Sequence, residues 1–127
     1  MKQALFALLM FIAATSYAGD NNTWYREFGP YGNTFIVACK SAVQKIDDAA
    51  WSSTKQQAHD AGYCMGFISG VADNMNSNDG VDLNDGSITR DQLIRVVQKY
   101  LEDHPEQLSK PASWLIRQAI IKAFPKK

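Results

Sequence analysis

The chain has 127 residues, with 13 basic and 13 acidic side chains, so its formal charge at neutral pH is zero. That balance leaves no electrostatic footprint for nucleic acid, and two histidines with two cysteines make a poor zinc site. The length fits one domain and not comfortably two.

The first 18 residues have the three parts of a cleavable export signal. Lys2 supplies the positive end, Ala4 to Ala14 is an uncharged apolar run, and Ser16-Tyr17-Ala18 puts small residues where a signal peptidase reads. A membrane anchor is the alternative, but the run falls well short of the ~20 residues that span a bilayer as a helix. Cleavage would leave residues 19–127 as one soluble domain outside the cytoplasm, with no further membrane segment and a balance of 12 basic to 13 acidic residues.

Cys39 and Cys64 are the only cysteines. In an oxidising compartment such a pair is expected to bridge, contributing about 3.5 kcal/mol on the chain-entropy estimate. The alternative, a reactive thiol, needs a free cysteine and an activating base.

Residues 19–33 are polar and turn-rich, an irregular lead-in that Trp24 and Tyr31 could pin. A helix is expected from about Thr34, a candidate N-cap, to Asp47, because Phe35, Cys39, Ala42, Val43 and Ile46 recur on one face. A second, longer helix is expected from about Ser53 to Asn74. Its apolar seam is Ala61, Cys64, Ile68, Val71, Ala72 and Met75, so a Cys39–Cys64 bridge would clamp the two helices.

The second helix also carries Gly62, Gly66 and Gly70 at four-residue intervals. Each interior glycine costs ~1 kcal/mol relative to alanine, so a compensating close helix approach is expected there. Packing within the chain is the simpler reading, and packing on a partner subunit is the other.

Residues 73–88 form a glycine-bearing acidic loop. A third helix opens after Thr89, with a Thr89–Gln92 capping box and an Ile88–Leu93 staple. Leu93, Val96, Val97, Tyr100 and Leu101 form its expected inward face, and His104-Pro105 ends it. A fourth helix has Pro111 in its first turn and turns Ala112, Leu115, Ile116, Ala119, Ile120 and Ala123 inward, ending at Phe124-Pro125. Without sustained period-two alternation, the fold class is all-α: a small single-domain bundle of about four main helices.

A search for chemistry returns little. Reading Asp82 to Ile88 as a calcium loop fails, because no register supplies both the first carboxylate and the bidentate glutamate. His59 and Cys64 are five apart, on different faces of one helix, and His104 sits where a histidine complements the helix dipole. Adjacent acids such as Asp47-Asp48 and Glu102-Asp103 point apart. No catalytic constellation, metal site or cofactor site results, so binding remains. The stretch from Asp73 to Asp91 holds five Asp and one Arg. It is long for a helix–helix connection, and reads equally as a solvated connector or as an acidic projection into a basic-rimmed groove.

The segment Gly62-Tyr63-Cys64-Met65-Gly66-Phe67-Ile68-Ser69-Gly70-Val71-Ala72-Asp73 resembles the central signature of the Rap/Tai-type immunity proteins of type VI secretion. The ordered set Ile88-Thr89-Arg90-Asp91-Gln92-Leu93, Val96-Val97, Tyr100-Leu101, His104-Pro105-Glu106, Pro111-Ala112 and Ala123-Phe124-Pro125 extends that resemblance over about 62–125. It implies an exported, cofactor-free helical protein, commonly a homodimer, with no enzyme activity. Such a protein would act in the periplasm, blocking the active-site groove of a papain-like peptidoglycan amidase toxin. It also makes the loop residues Asp73, Asn76, Asp79, Asp82, Asn84 and Asp85 candidates for partner binding. One departure is Lys126, where many relatives carry a cysteine able to bridge the tail. A small periplasmic stress chaperone that binds unfolded clients is the alternative function.

Overall fold

The computed structural model describes residues 29–83 and 86–127. The expected signal, Trp24, Asn84 and Asp85 lie outside them. The described residues form four α-helices: α1 (Gly32–Asp47), α2 (Lys55–Asp73), α3 (Arg90–Asp103) and α4 (Ala112–Ala123). Short 3₁₀ turns at Ser77–Asp79 and Pro105–Gln107 interrupt the α2–α3 and α3–α4 connections. The all-α reading holds.

The Cys39–Cys64 bridge forms with a Cα–Cα distance of 5.1 Å and clamps α1 to α2. Both cysteines are fully buried, beside Phe35, Ala42, Ala61 and Ile68. Ile94, Val97 and Leu101 of α3 and Leu115, Ile116 and Ile120 of α4 complete this core. Burial therefore makes one continuous apolar centre from a stripe on each helix. Among the described residues no helix is long and apolar enough to cross a membrane.

Three local expectations are corrected. Helix α1 starts at Gly32, two residues before the expected cap at Thr34. Its first orphan amides are satisfied by carbonyls of the α3–α4 connection: Gly32 N–H donates to Lys110 O and Asn33 N–H to Leu108 O, each at 3.0 Å. Thr34 instead donates its hydroxyl to Tyr31 O at 3.0 Å. The lead-in is pinned here through backbone, with Tyr31 in an antiparallel bridge to Pro111 and Ala112 N–H donating to Pro30 O at 2.8 Å.

On α3 the buried stripe is centred on Ile94, Val97 and Leu101, leaving Leu93, Val96 and Tyr100 half-buried at its flank. On α4, Pro111 is the N-cap and Ala123 is exposed. The reciprocal capping box falls on α2. The Thr54 hydroxyl accepts from Gln57 N–H at 3.2 Å and the Gln57 side chain accepts from Thr54 N–H at 2.9 Å. At α3 the Thr89 hydroxyl accepts from Gln92 N–H at 3.2 Å.

The glycines on α2 are the third correction. A Cβ built on Gly62, Gly66 or Gly70 meets nothing within 4 Å, so no other element among the described residues closes on that ridge. The close approach occurs at Gly32. A Cβ there would stand 2.5 Å from Leu115 Cδ1 and 3.0 Å from Leu108 Cα. Backbone seated on backbone, through the Gly32–Lys110 hydrogen bond, makes that contact unavoidable.

Candidate functional site

The acidic segment begins where α2 ends. Asn74 caps the helix and donates its side-chain amide to Gly70 O at 2.7 Å. Met75 then turns into the core, 8% exposed. Asn76 and Asp79 form a small capping box around the 3₁₀ turn. The Asp79 carboxylate accepts from Asn76 N–H and the Asn76 side chain accepts from Asn78 N–H, both at 2.8 Å. Gly80 follows at φ +79°, a left-handed conformation that favours glycine, and redirects the chain.

That redirection drives Val81 inward, to 1% exposure, where it forms an antiparallel bridge with Pro125. Two more backbone bonds lock the strip: Lys126 N–H donates to Gly80 O at 2.9 Å and Asp82 N–H to Phe124 O at 3.3 Å. The loop is thus tied to the C-terminal tail by hydrogen bonds. Arg117 of α4 adds a side-chain tie, donating its guanidinium to the second Asp79 oxygen.

This geometry divides the predicted loop residues. Asn76 and Asp79 are occupied in building the turn. The Asn76 amide, with help from Arg117, holds the Asp79 carboxyl below the usual aspartate range against the opposing effect of burial. Asp73 and Asp82 are exposed, on either side of the turn. Gly86, at φ +68°, bends the far end of the loop before Thr89 opens α3. The described part of the segment is therefore a shaped, anchored acidic projection.

Other candidates resolve into ordinary structural roles. Cys64 is bridged, and the exposed His59 ring stacks on Tyr63 at 6.4 Å. His104 is the C-cap of α3 and donates Nδ1–H to Tyr100 O at 2.8 Å. Asp47 pairs with Arg95 at 2.5 Å, while Glu102 accepts from the Gln98 amide at 2.7 Å. No group of three or more His, Cys, Asp or Glu side chains among the described residues could hold a metal ion.

Sequence reasoning missed two participants, Arg117 and Val81. Arg117 lies 38 residues from its partner, and an isolated arginine on a helix carries no local signal. Val81 is one of four large apolar residues in an otherwise polar connector, with Met75, Leu83 and Ile88, and such residues in a connector mark inward anchoring.

The exposed glycine ridge lines a shallow groove of about 390 Å³, with Phe67 and Val71 on α2 and Ser113 and Arg117 on α4. Arg117 thus belongs both to the loop's anchor and to this groove.

Residues 31–125 match the family described as Rap1a immunity proteins. No curated protein matches the chain. The matched span contains the four described helices, the disulfide, the acidic loop and the tail residues Phe124 and Pro125 that pair with it. The chain therefore belongs to the Rap1a immunity proteins, non-catalytic proteins that bind a cognate secreted toxin.

Proposed function

We propose that this protein is exported to the periplasm by residues 1–18 and there, as the single domain 19–127, blocks the active-site groove of a type VI secreted peptidoglycan amidase. The anchored acidic loop carries this reading. A rigid projection loses little conformational freedom on binding, and its carboxylates would steer it toward a basic-rimmed groove. Asp73 and Asp82, with Asp85 beyond the described part, would make the contacts. Asn76 and Asp79 would set the shape of the turn.

The uncompensated glycine ridge supports the homodimer. Gly62, Gly66 and Gly70 would let a second copy approach the α2 backbone and recover the ~1 kcal/mol that each glycine costs the helix. Replacing Gly66 by Leu should then give a folded monomer by sedimentation. A Gly66→Leu protein that assembles like the parent would remove the ridge from the interface.

The function is tested by expressing the chain in sensitive cells challenged with type VI amidases delivered to the periplasm. Survival against one amidase class is the expected result. Lysis indistinguishable from cells lacking the chain, across all classes, would reject it.

A further inference from the structure

A groove of about 360 Å³ opens between α3 and α4, away from the glycine ridge. Its apolar floor is Val96, Tyr100, Ala119 and Ala123, and its rim carries Arg95, Lys99 and Lys122 against one carboxylate, Asp103. The Tyr100 ring is fixed in place. Its hydroxyl donates to the Gln107 side chain at 3.1 Å, and His104 stacks on it at 4.1 Å. The imidazole is in turn held by its bond to Tyr100 O. Tyr and Arg are among the residues that dominate binding energy in protein interfaces, and a ring held in place loses little freedom on binding.

The cations differ in what they already hold. Arg95 pairs with Asp47 and Lys99 with Asp103 at 2.9 Å, both in exposed pairs of small worth. Lys122 forms no ion pair among the described residues. Its ammonium sits 5.8 Å from the Tyr100 ring centroid, and its field reaches Asp103. The groove therefore offers a held aromatic ring and one cation, Lys122, outside any ion pair among the described residues, the other two rim cations being matched by Asp47 and Asp103.

We propose that the α3–α4 groove is a docking surface for a segment of a partner protein carrying an aliphatic side chain flanked by carboxylates. The aliphatic group would seat on Tyr100 and a carboxylate would meet Lys122. A membrane surface fits less well, because the large apolar residues of the groove, Val96 and Tyr100, are half-buried, whereas interfacial binding needs apolar groups that protrude. The groove shares Ala123 with a second hollow, lined by Ile88, Gln92, Phe124 and Pro125, that reaches Asp82. An extended segment could continue along it, which a compact small molecule would not use. The proposal does not depend on the identity of the toxin.

The test uses the purified, ¹⁵N-labelled protein and a short synthetic peptide with Leu between Asp and Glu residues. Saturable amide shifts confined to the surroundings of Val96, Tyr100, Ala119 and Lys122 are expected. Exchanging the peptide's acids for Asn and Gln, or making Lys122→Glu in the protein, should weaken binding about tenfold, the loss of one charge-assisted contact. Lys122 is exposed, so its variant keeps the core. Absence of shifts, equal binding of the uncharged peptide, or a Lys122→Glu protein that binds normally would overturn the proposal. So would binding to phosphatidylglycerol vesicles without binding to the peptide.

Discussion

Arg117 and Asp79, on α4 and on the turn of the acidic loop, form an ion pair that links segments 38 residues apart. The same carboxylate is held from the other side by Asn76 N–H. One side chain thereby shapes the loop and fastens it to the last helix. Removing the guanidinium should loosen the loop while sparing the core. In Arg117→Ala, the amides of Gly80, Asp82 and Lys126 should exchange hydrogen faster, and those of Ile68 and Leu101 at the parent rate. Equal protection at all five would show that the backbone bridge suffices alone.

The depressed acidity of Asp79 gives this fastening a pH dependence. Its folded-state pKa lies below the unfolded value, so the unfolded chain binds more protons in acid and the stabilisation rises with pH. The contribution is complete above the ordinary aspartate value and fades as pH falls through the lower folded one. Loop protection should therefore be flat from neutrality to about pH 4–5, and lost below that. In Arg117→Ala the loss should be smaller and should be complete at a higher pH, because the folded-state acidity of Asp79 is then less depressed. An unchanged acid profile in the variant would mean that Asn76 alone sets the acidity.

The glycines predict opposite signs for one substitution. Gly66→Ala should stabilise the isolated subunit by up to about 1 kcal/mol, since the added methyl meets open space. Gly32→Ala should destabilise by about 1–3 kcal/mol, because that methyl collides with Leu115 and with the Leu108 backbone. Urea unfolding of each variant measures both. Destabilisation by Gly66→Ala under dissociating conditions would refute the open-face description.

The disulfide closes a loop between residues 25 apart. Replacing both cysteines by Ala should cost about 3.5 kcal/mol by the chain-entropy estimate, with a further loss for the small cavity at its buried site. Thiol reductant during unfolding should reproduce most of that loss in the parent. Parent and variant with equal denaturation midpoints would contradict it.

The helices were legible because each carries an apolar stripe at helical spacing, and Cys39 and Cys64 fell on two such stripes. On α3, Val97 and Leu101 were expected inward and are buried, but Ile94 was left out in favour of Leu93, Val96 and Tyr100, which fit the period as well and are only half-buried; the neighbours in space choose between them. The loop's composition was visible, but its anchoring was not. The Val81–Pro125 bridge joins segments with no shared local pattern, and Arg117 gains its role only from where α4 comes to rest. The glycine spacing suggested a close approach by this chain or by a partner subunit, and the described residues leave the ridge open; a bare ridge looks the same in sequence whether or not another helix covers it.

On the proposed function, the anchored acidic loop blocks a peptidoglycan amidase. The most direct measurement of this is cross-link cleavage by the amidase that the chain protects against, titrated with parent protein and with an Asp73→Lys, Asp82→Lys double variant. Both substitutions are at exposed positions, so the fold should be kept. The account predicts stoichiometric loss of activity with the parent, and inhibition weaker by at least about a hundredfold with the variant, roughly 1.4 kcal/mol for each reversed contact. Equal inhibition by the two proteins would contradict it.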